Sequence, residues 1–528
     1  MAEYPRQIEM EERMRDLVVN RSIREPQVNP RTPTPQDISE LLAAICKIEK
    51  LDQSRTPSQR EESGHPVNAP TPQYPRRLAE VLDSLASLAV SQSQHEVVAT
   101  SIRVDDRKKT LELIVASNTN VSQATSKHLR DMWEFMFRLS NRFYELNPDA
   151  IQKDTPSSRP DDPFFQGVYH QFAQMCFEFS FKRIQKKING KIDKLRAIDI
   201  AGLGPEHPFR KVRQMIMFIM ATYTSERNLL SGKPRHEDHD AWTDFHVCLR
   251  EAKHRIKEFL DGGGFQRQED TSRVLTFINL DTYLRKITSF SNNFEVLVRA
   301  ALSPRSRRLF TYQFKLTPLP EVVTKLPKIA HTAGEWEKIL DMAVSYHNSN
   351  RLGVPHALDP GVIDHHTTDM AKEAITRSVC VHCEVKLLTS IHKTQTMQPN
   401  LPKAYSYIGV SKLSCNGCDS FIKAFNRENG AHWITKGCHG KSYYPWMFPQ
   451  PFPSYEPVLL STYSDIVVHW VNSYRGYAVS SVSLNPDSTD QSSRSGDGVP
   501  DMDSEEARNR RLRLFEKAER IEASLDEN

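Results

Sequence analysis

The chain has 528 residues, enough for two to four domains of about 100–200 residues each. Its 70 Lys and Arg residues nearly balance its 66 Asp and Glu residues, and the formal net charge is +4. This balance argues against an obligatory polyanion partner for the chain as a whole, although it permits a local basic groove. A hydrophobic fraction of 38 % and 32 prolines favour globular domains separated by disordered linkers.

The sequence contains no signal for export or for membrane insertion. No stretch approaches the ~20 apolar residues of a transmembrane helix, and the charged start MAEYPRQIEMEERMRDL lacks the apolar core of a secretory signal. We therefore predict an intracellular protein, cytoplasmic or nuclear, without membrane contact. Five of the eight cysteines lie within residues 380–438. In such a protein this cluster indicates metal binding or thiol chemistry rather than a disulfide framework.

The N-terminal half is predicted to be disordered at first and then helical. Residues 1–77 are largely Pro-, Ser- and Thr-rich, with a short helix predicted at Ile38–Leu51 from its apolar spacing. Residues 78–300 are predicted to form a helical region of unknown role. Apolar residues recur there at three- and four-residue steps, as in a helical bundle; the stripes are Leu129–Phe143, Phe172–Phe179 and Trp242–Phe259.

Residues 301–483 form the predicted C-terminal domain. Within it, Arg308–Leu316 alternates in the manner of a strand, and Gly334–His347 carries apolar residues along one side of a helix. Residues 484–505 are predicted to be a disordered linker, and residues 506–528 a charged C-terminal helix. This helix and the helical N-terminal region are the surfaces that we expect a protein partner to use.

The segment that carries chemistry is residues 377–453. After His382-Cys383-Glu384, apolar residues at three-residue steps predict a helix that begins at or just before His382. Tyr405–Val410 then predicts a strand, and the C-x-x-C pair Cys415 and Cys418 leads into a second amphipathic helix. The predicted order is therefore a helix carrying H-x-E, a strand, and a helix that opens with C-x-x-C.

These residue types predict a catalytic zinc site. Cys415 and Cys418 at a helix start can place both sulfurs on one cation, and the helix N-terminus favours their thiolate forms. His382 supplies a third ligand, so a bound Zn2+ keeps a fourth position for water, as a catalytic site requires. Glu384, two residues further on, is predicted to point past the metal and to shuttle protons without binding it.

H-x-E followed by P-C-x-x-C is the signature of zinc deaminases, and the segment resembles the cytidine-deaminase-like superfamily. In this chain 32 residues separate His382 from Cys415, and Ser414 occupies the position of the proline. The segment is more narrowly similar to a branch of predicted nucleic acid/nucleotide deaminases that is greatly expanded in fungi. The residues that carry this similarity are Tyr407–Lys412 before the C-x-x-C and Gly437–Lys441 and Tyr444–Trp446 after it.

The resemblance implies a fold as well as an activity. It implies an α/β fold, a three-layer α/β/α sandwich, preceded here by the mainly helical region and disordered linkers. It also implies zinc at His382, Cys415 and Cys418, with Glu384 as proton shuttle. The implied substrate is a nucleobase, free or in nucleic acid, with cytosine favoured over adenine. The first strands should lie upstream of His382, and Arg308–Leu316 and Ile375–Val381 are the candidates.

Two other interpretations of the cysteines stay open. Cys380 and Cys383 form a second C-x-x-C pair, 31 residues before Cys415. The two pairs together could be a four-cysteine structural zinc site of a non-catalytic interaction protein, although about 15–20 residues is the more usual gap. Cys380 and Cys383 could also be a redox dithiol at a helix start. In a deaminase, both would be small buried residues near the site.

Three further residues are candidates for substrate contact. His439 lies between glycines that permit a close backbone approach, Lys412 could approach a phosphate, and Trp446 could stack on a base. Each also has a simpler structural interpretation. His439 could be a turn histidine, Lys412 a loop lysine and Trp446 a packed aromatic side chain.

Overall fold

The computed structural model describes residues 31–51, 76–92, 96–152, 162–189, 280–321, 332–350, 380–443 and 446–479. The predicted linker 484–505, the predicted C-terminal helix 506–528 and the predicted helical stripe Trp242–Phe259 lie outside the described residues. In chain order the elements are α1 (Pro35–Leu51), α2 (Arg76–Leu88), β1 (Val98–Asp105), β2 (Thr110–Ser117), α3 (Gln123–Leu146), α4 (Pro163–Asn189), α5 (Leu280–Leu302), β3 (Gln313–Pro318), α6 (Ala333–Ser349), α7 (Cys383–Met397), β4 (Tyr407–Val410), α8 (Asn416–Asn429), β5 (Ile434–Thr435) and α9 (Tyr455–Val479).

β3, β2 and β1 are neighbouring strands in that order, and β4 neighbours β5. β2 pairs in parallel with β3, from Thr110 opposite Gln313 to Val115 opposite Pro318. β4 pairs in parallel with β5 over two residues. The protein is therefore mixed α/β, and the predicted class is confirmed at that level. The three-layer arrangement stays a prediction.

The first two strands lie where the sequence pattern predicted helices. β1 and β2 fall inside residues 78–300 and are joined by the turn 106–109. In this turn Asp105 Oδ1 accepts hydrogen bonds from the amides of Arg107 and Lys108, at 3.0 and 2.9 Å. The six residues Val98–Arg103 and the last five of β2 are all buried, so the alternation that identifies a half-buried strand is missing.

Of the two regions proposed for these first strands, one needs correction, and most of the other lies outside the described residues. Arg308–Leu316 is a strand only in its second half, because a 3₁₀ helix with proline at its start occupies Pro304–Thr311 and β3 begins at Gln313. Residues 375–379 lie outside the described residues, and Cys380 makes only a single β-bridge, to Trp446. The helices predicted at Ile38–Leu51 and Gly334–His347 are confirmed as α1 and α6.

The chain divides into two compact units. Among the described residues, the first unit contains 31–51, 116–120, 319–321, 332–350, 380–443 and 446–479. The second contains 76–92, 96–115, 121–152, 162–189 and 280–318. The domain boundaries predicted from the sequence stay predictions. None of the described helices combines the length and the apolar character that crossing a bilayer requires.

The core of the second unit is an aromatic cluster between helices. α5 packs against α2, α3 and α4, and buried phenylalanines from α4 and α5 meet there. The rings of Phe172 and Phe294 lie 5.1 Å apart, and the hydroxyl of Tyr169 donates to the carboxylate of Glu295 at 3.1 Å. The helical stripes predicted in α3 and α4 are thus core faces.

A buried histidine in this unit predicts a loss of stability in acid. The His128 ring stacks on Phe179 at 3.9 Å, and burial lowers its pKa from 6.5 to about 4. The unfolded chain therefore binds this proton more readily, and stability falls as the pH drops from 6.5 towards 4. We expect the free energy of unfolding to fall by about 2 kcal/mol between pH 7 and pH 5.

Amide hydrogen exchange in α3 at these two pH values measures this loss. His128→Phe keeps an aromatic ring against Phe179 and removes the proton, so the pH dependence should shrink by the same amount. An unchanged pH dependence in this variant would show that other groups cause it.

The core of the first unit surrounds the motif-bearing helices. α8 packs along α9, while α1 packs against α6 and α9. Nearly every apolar residue of α1 up to Cys46 is buried, and Arg31 and Thr34 bind the carboxylate of Asp37 in its first turn. A helix from the far N-terminus is thus part of the same core as the motifs.

Candidate metal centre

The helix that carries H-x-E begins as predicted. His382 is the N-cap of α7 in an extended conformation, and Cys383 is the first helical residue. The side-chain oxygen of Asn118 accepts the Cys383 amide hydrogen at 2.8 Å, which satisfies one of the free donors of the first turn. The buried ammonium of Lys386 donates to the carbonyl of Ser117 at 2.6 Å. The end of β2 therefore fixes the start of α7.

The C-x-x-C pair also opens a helix as predicted. Cys415 is the N-cap of α8, again extended, and Cys418 lies in the first turn. The fully buried strand β4 ends at Val410, shortly before this turn. Both thiols are buried, and both lie at the positive end of the α8 dipole, which favours thiolates.

His382, Cys415 and Cys418 come together as one potential ligand group. Their ligand atoms all lie within 4.8 Å of one another. His382 Nδ1 is 3.5 Å from each sulfur. A tetrahedral zinc with nitrogen at ~2.0–2.1 Å and sulfur at ~2.3 Å holds these atoms about 3.6 Å apart. The three side chains therefore have the spacing of zinc ligands and could hold a metal ion.

The electrostatics of the two thiols suit a cation. Burial raises the pKa of both, but the hydrogen bond with Cys418 and the His382 ring hold the pKa of Cys415 well below its usual value. Burial and the neighbouring Cys415 sulfur raise the pKa of Cys418. A bound cation would favour the thiolate forms of both sulfurs.

Residues 381–450 match the model of the OTT_1508-like deaminase family. This segment, the deaminase-like segment from here on, is similar to a deaminase domain over 70 of the 528 residues. Comparison with curated proteins and with solved structures found no match. The matched range contains the whole ligand group and Glu384.

Glu384 lies beside the ligand group of the deaminase-like segment and outside it. Its side chain is buried, and the thiol of Cys383 donates to Glu384 Oε2 at 3.3 Å. Burial raises the pKa of the carboxyl group, while the His382 imidazole opposes this shift. A buried carboxyl group with a raised pKa is suited to exchange protons with a substrate.

Cys380 and Cys383, the other C-x-x-C pair, stand apart from this group. Among the residues that the structure describes, neither Cys380 nor Cys383 belongs to the potential metal group. Burial raises the pKa of Cys380 to about 11 and that of Cys383 well above its usual value. A thiol that resists ionisation is a poor redox nucleophile. This geometry favours the three-ligand site over the four-cysteine site and the redox pair.

Trp446 packs directly beneath the two cysteines. It is fully buried, and its backbone forms the β-bridge to Cys380. Its indole nitrogen is buried. The N–H group lies beside Cys418, whose thiolate form it favours. A buried donor beside a sulfur is the kind of outer contact that supports a metal-bound thiolate.

The close packing at Gly417 predicts a sensitive position. A Cβ atom there would lie 2.8 Å from Leu42 Cδ1 and 3.1 Å from the indole carbon Cε2 of Trp446. The leucine tip can move, but the indole cannot move without disturbing the ligand turn. We therefore expect Gly417→Ala to destabilise the first unit by about 1–3 kcal/mol.

Urea unfolding of the zinc-loaded chain measures this effect, with zinc affinity as the second readout. Gly334→Ala is the matched control, because a Cβ atom at that position in α6 meets nothing within 4 Å. Equal behaviour of the two variants would contradict the packing described for Gly417.

The predicted substrate residues lie on loops beside Cys415. Lys412 is exposed, and His439 is half-buried. The amide of His439 donates to the carbonyl of Ser414 at 3.1 Å, and its Nδ1 accepts the Lys441 amide hydrogen at 3.1 Å. The backbone thus holds His439 next to the ligand turn. The assignment of His439, Lys412 and Trp446 to substrate stays a prediction.

Three residues that support the site were missed by sequence reasoning. Asn118 and Ser117 hold the start of α7 from about 265 positions upstream, and Leu42 contacts the C-x-x-C turn from α1. No local pattern connects these residues to the motifs. Lys386 alone gave a weak indication of such a contact, because a lysine in the first turn of an apolar helix needs a hydrogen-bond partner if it is buried.

Proposed function

We propose that this chain is a zinc-dependent hydrolytic deaminase that acts on a nucleobase, with cytosine favoured over adenine. We place it in the cytidine-deaminase-like superfamily, in the fungus-expanded branch, with that superfamily's three-layer fold. The observation that carries the proposal is the position of His382 Nδ1, 3.5 Å from both cysteine sulfurs. The family match to a deaminase over residues 381–450 supports it independently.

In the proposed mechanism, His382, Cys415 and Cys418 would hold the zinc. When bound, the metal would supply Lewis acidity that makes a water molecule easier to deprotonate. Glu384 accepts the proton that the attacking water loses and returns protons to the ring nitrogen and to the departing amino group. The C4–N bond of cytosine breaks, a C4–O bond forms, and ammonia leaves. Each turnover consumes one water molecule and needs no oxidant or reductant.

The surrounding residues have distinct proposed roles. Cys383 donates to Glu384 and orients the carboxyl group, and Trp446 supports Cys418. Lys412 and His439 are proposed to contact the substrate from the loops beside Cys415. Glu384 is buried beside the ligand group, and both proton transfers are assigned to it.

The test is a deamination screen with the full chain. Zinc-loaded and chelator-treated protein should be incubated with nucleosides, nucleotides, single-stranded DNA and single-stranded RNA, and ammonia and product bases measured. We expect conversion of at least one cytosine compound, its loss after zinc removal, and its return when zinc is added. Conversion that persists without metal would overturn the zinc-dependent mechanism.

A further inference from the structure

The deaminase-like segment is far more basic than the rest of the chain. It contains eight Lys and Arg residues against three Asp and Glu residues, whereas the entire chain has a net charge of only +4. One of the three acids is Glu384. The other two are already paired, Asp419 with Lys423 at 2.8 Å and Glu428 with Arg427 at 3.6 Å. Eight cationic and three acidic residues give the segment a formal net charge of 8 − 3 = +5.

Part of this charge is concentrated on two loops beside the metal ligands. These loops, residues 411–413 and 436–443, are called the rim below. The second loop runs beside residues 414–416, which directly follow the first loop, because the Ser414 amide donates to Gly437 O at 2.9 Å and the Asn416 amide donates to Lys441 O at 3.0 Å. Cys415 lies between Ser414 and Asn416, so the rim is attached directly to a ligand of the site.

The rim exposes three lysines and one aromatic ring. Lys412, Lys436 and Lys441 are all exposed. Neither the sequence between Val385 and Cys418 nor that between Asn429 and Gln450 contains an acidic residue. Tyr443 is 47 % exposed, and its ring lies 5.1 Å from that of His439. Positive φ angles at Gly437 and Gly440 give the loop its tight shape.

Lysines beside an exposed aromatic ring are the combination that binds single-stranded nucleic acid. The lysines neutralise successive phosphates, and the ring stacks on a base regardless of its identity. A free nucleotide presents phosphate at only one end and has no neighbouring base. A strand presents phosphates on both sides of the base in the site, together with a neighbouring base to stack.

We propose that the rim binds the backbone of a single-stranded polynucleotide and that the substrate base is presented to the site within such a strand. The phosphates flanking that base lie against Lys412, Lys436 and Lys441, and an adjacent base stacks on Tyr443. This inference rests on the proposed deaminase function, because it names the substrate of the same site.

Strand binding can be measured apart from catalysis. The zinc-loaded Glu384→Ala chain should be titrated with short, labelled single strands of DNA and of RNA, each containing one cytosine, and fluorescence anisotropy recorded at several salt concentrations. If three phosphates are contacted, the logarithm of the association constant should fall with the logarithm of the salt concentration, with a slope of about −2. Replacing the three rim lysines with serine should flatten this slope and lower affinity about 100-fold at ~0.1 M salt.

Matched variants separate the rim from general charge. Lys338, Lys393 and Lys403 are exposed lysines of the first unit outside the rim, and their combined replacement with serine removes the same charge. We expect that control to bind the strand nearly as tightly as the parent. Tyr443→Ala should weaken binding about 10-fold, whereas Phe164→Ala, which removes another exposed ring, should not. Zinc content reports whether each variant is folded.

The outcomes distinguish this inference from the deaminase proposal. If the rim and control triple variants lost the same affinity for the strand, the proposal that the rim binds the strand would be overturned. Competition by cytidine 5′-monophosphate as effective as that by the strand would also overturn it, because one phosphate would then suffice. If the wild-type chain deaminates free cytidine but binds no strand, the inference fails and the deaminase proposal stands. If strands bind through the rim but no compound is deaminated, the catalytic proposal fails instead.

Discussion

Replacing His382 with alanine is expected to abolish stoichiometric zinc binding, while Cys380→Ser is expected to preserve it. His382 Nδ1 lies 3.5 Å from both sulfurs, and Cys380 does not belong to the ligand group. Zinc sites hold their metal with ~10 kcal/mol or more shared over their ligands, so losing one of three should lower affinity by roughly 100-fold or more. Metal analysis after dialysis against a competing chelator measures this directly.

The control for this experiment lies in the same helix. His392 is a half-buried histidine of α7 whose ring packs on Phe425 at 5.0 Å, and His392→Ala should retain zinc. The opposite pattern, with zinc lost in Cys380→Ser and kept in His382→Ala, would establish the four-cysteine structural site. A chain that binds no zinc and forms a reversible Cys380–Cys383 disulfide would establish the redox interpretation.

Replacing Glu384 with alanine is expected to leave zinc in place and to lower the deamination rate by about 10²- to 10⁴-fold. The carboxyl group is buried beside the ligand group without belonging to it, so its role is proton transfer rather than metal binding. Rates and zinc content should be measured on the same preparations, using the cytosine compound that the screen identifies.

Two variants make this result specific to the carboxyl group. Glu384→Gln keeps the size of the side chain and its contact with Cys383 but cannot accept a proton, so it should be as inactive as the alanine variant. Glu428→Ala removes a surface carboxylate of α8 within the same segment and should retain the wild-type rate. A Glu384→Ala chain that retains full zinc and full activity would refute the role given to Glu384.

The local structure around the motifs could be predicted from the sequence. α7, β4 and α8 follow from apolar periodicity and from the positions of His382 and Cys415, which are both N-caps. The ligand group could be predicted for the same reason. Its members open two helices whose order along the chain is that of a zinc deaminase, so short-range patterns contained the information.

The strands upstream could not be predicted in the same way. β1 and β2 are buried on both faces and lie among residues with helical periodicity, so no alternation marked them. Their link to the site is also long-range. Asn118 caps α7 across 265 residues of sequence. A single sequence provides no signal for such a contact, because each partner satisfies its local environment equally well without the other.

The packing of α1 shows a further limit of sequence reasoning. Its helical character was predicted correctly, but its place was not, because apolar spacing identifies a buried face without identifying what covers it. Leu42 reaches the C-x-x-C turn, which is 375 positions away. Close packing against Leu42 therefore favours glycine at position 417, between the two cysteines, and the motif alone does not reveal this.

X-ray absorption at the zinc edge of the loaded full-length chain tests the central claim most directly, because it counts the atoms bound to the metal. A three-ligand catalytic site predicts two sulfurs at ~2.3 Å, one imidazole nitrogen at ~2.0–2.1 Å and one further oxygen. Four sulfurs at ~2.3 Å, with no nitrogen or oxygen, would contradict it.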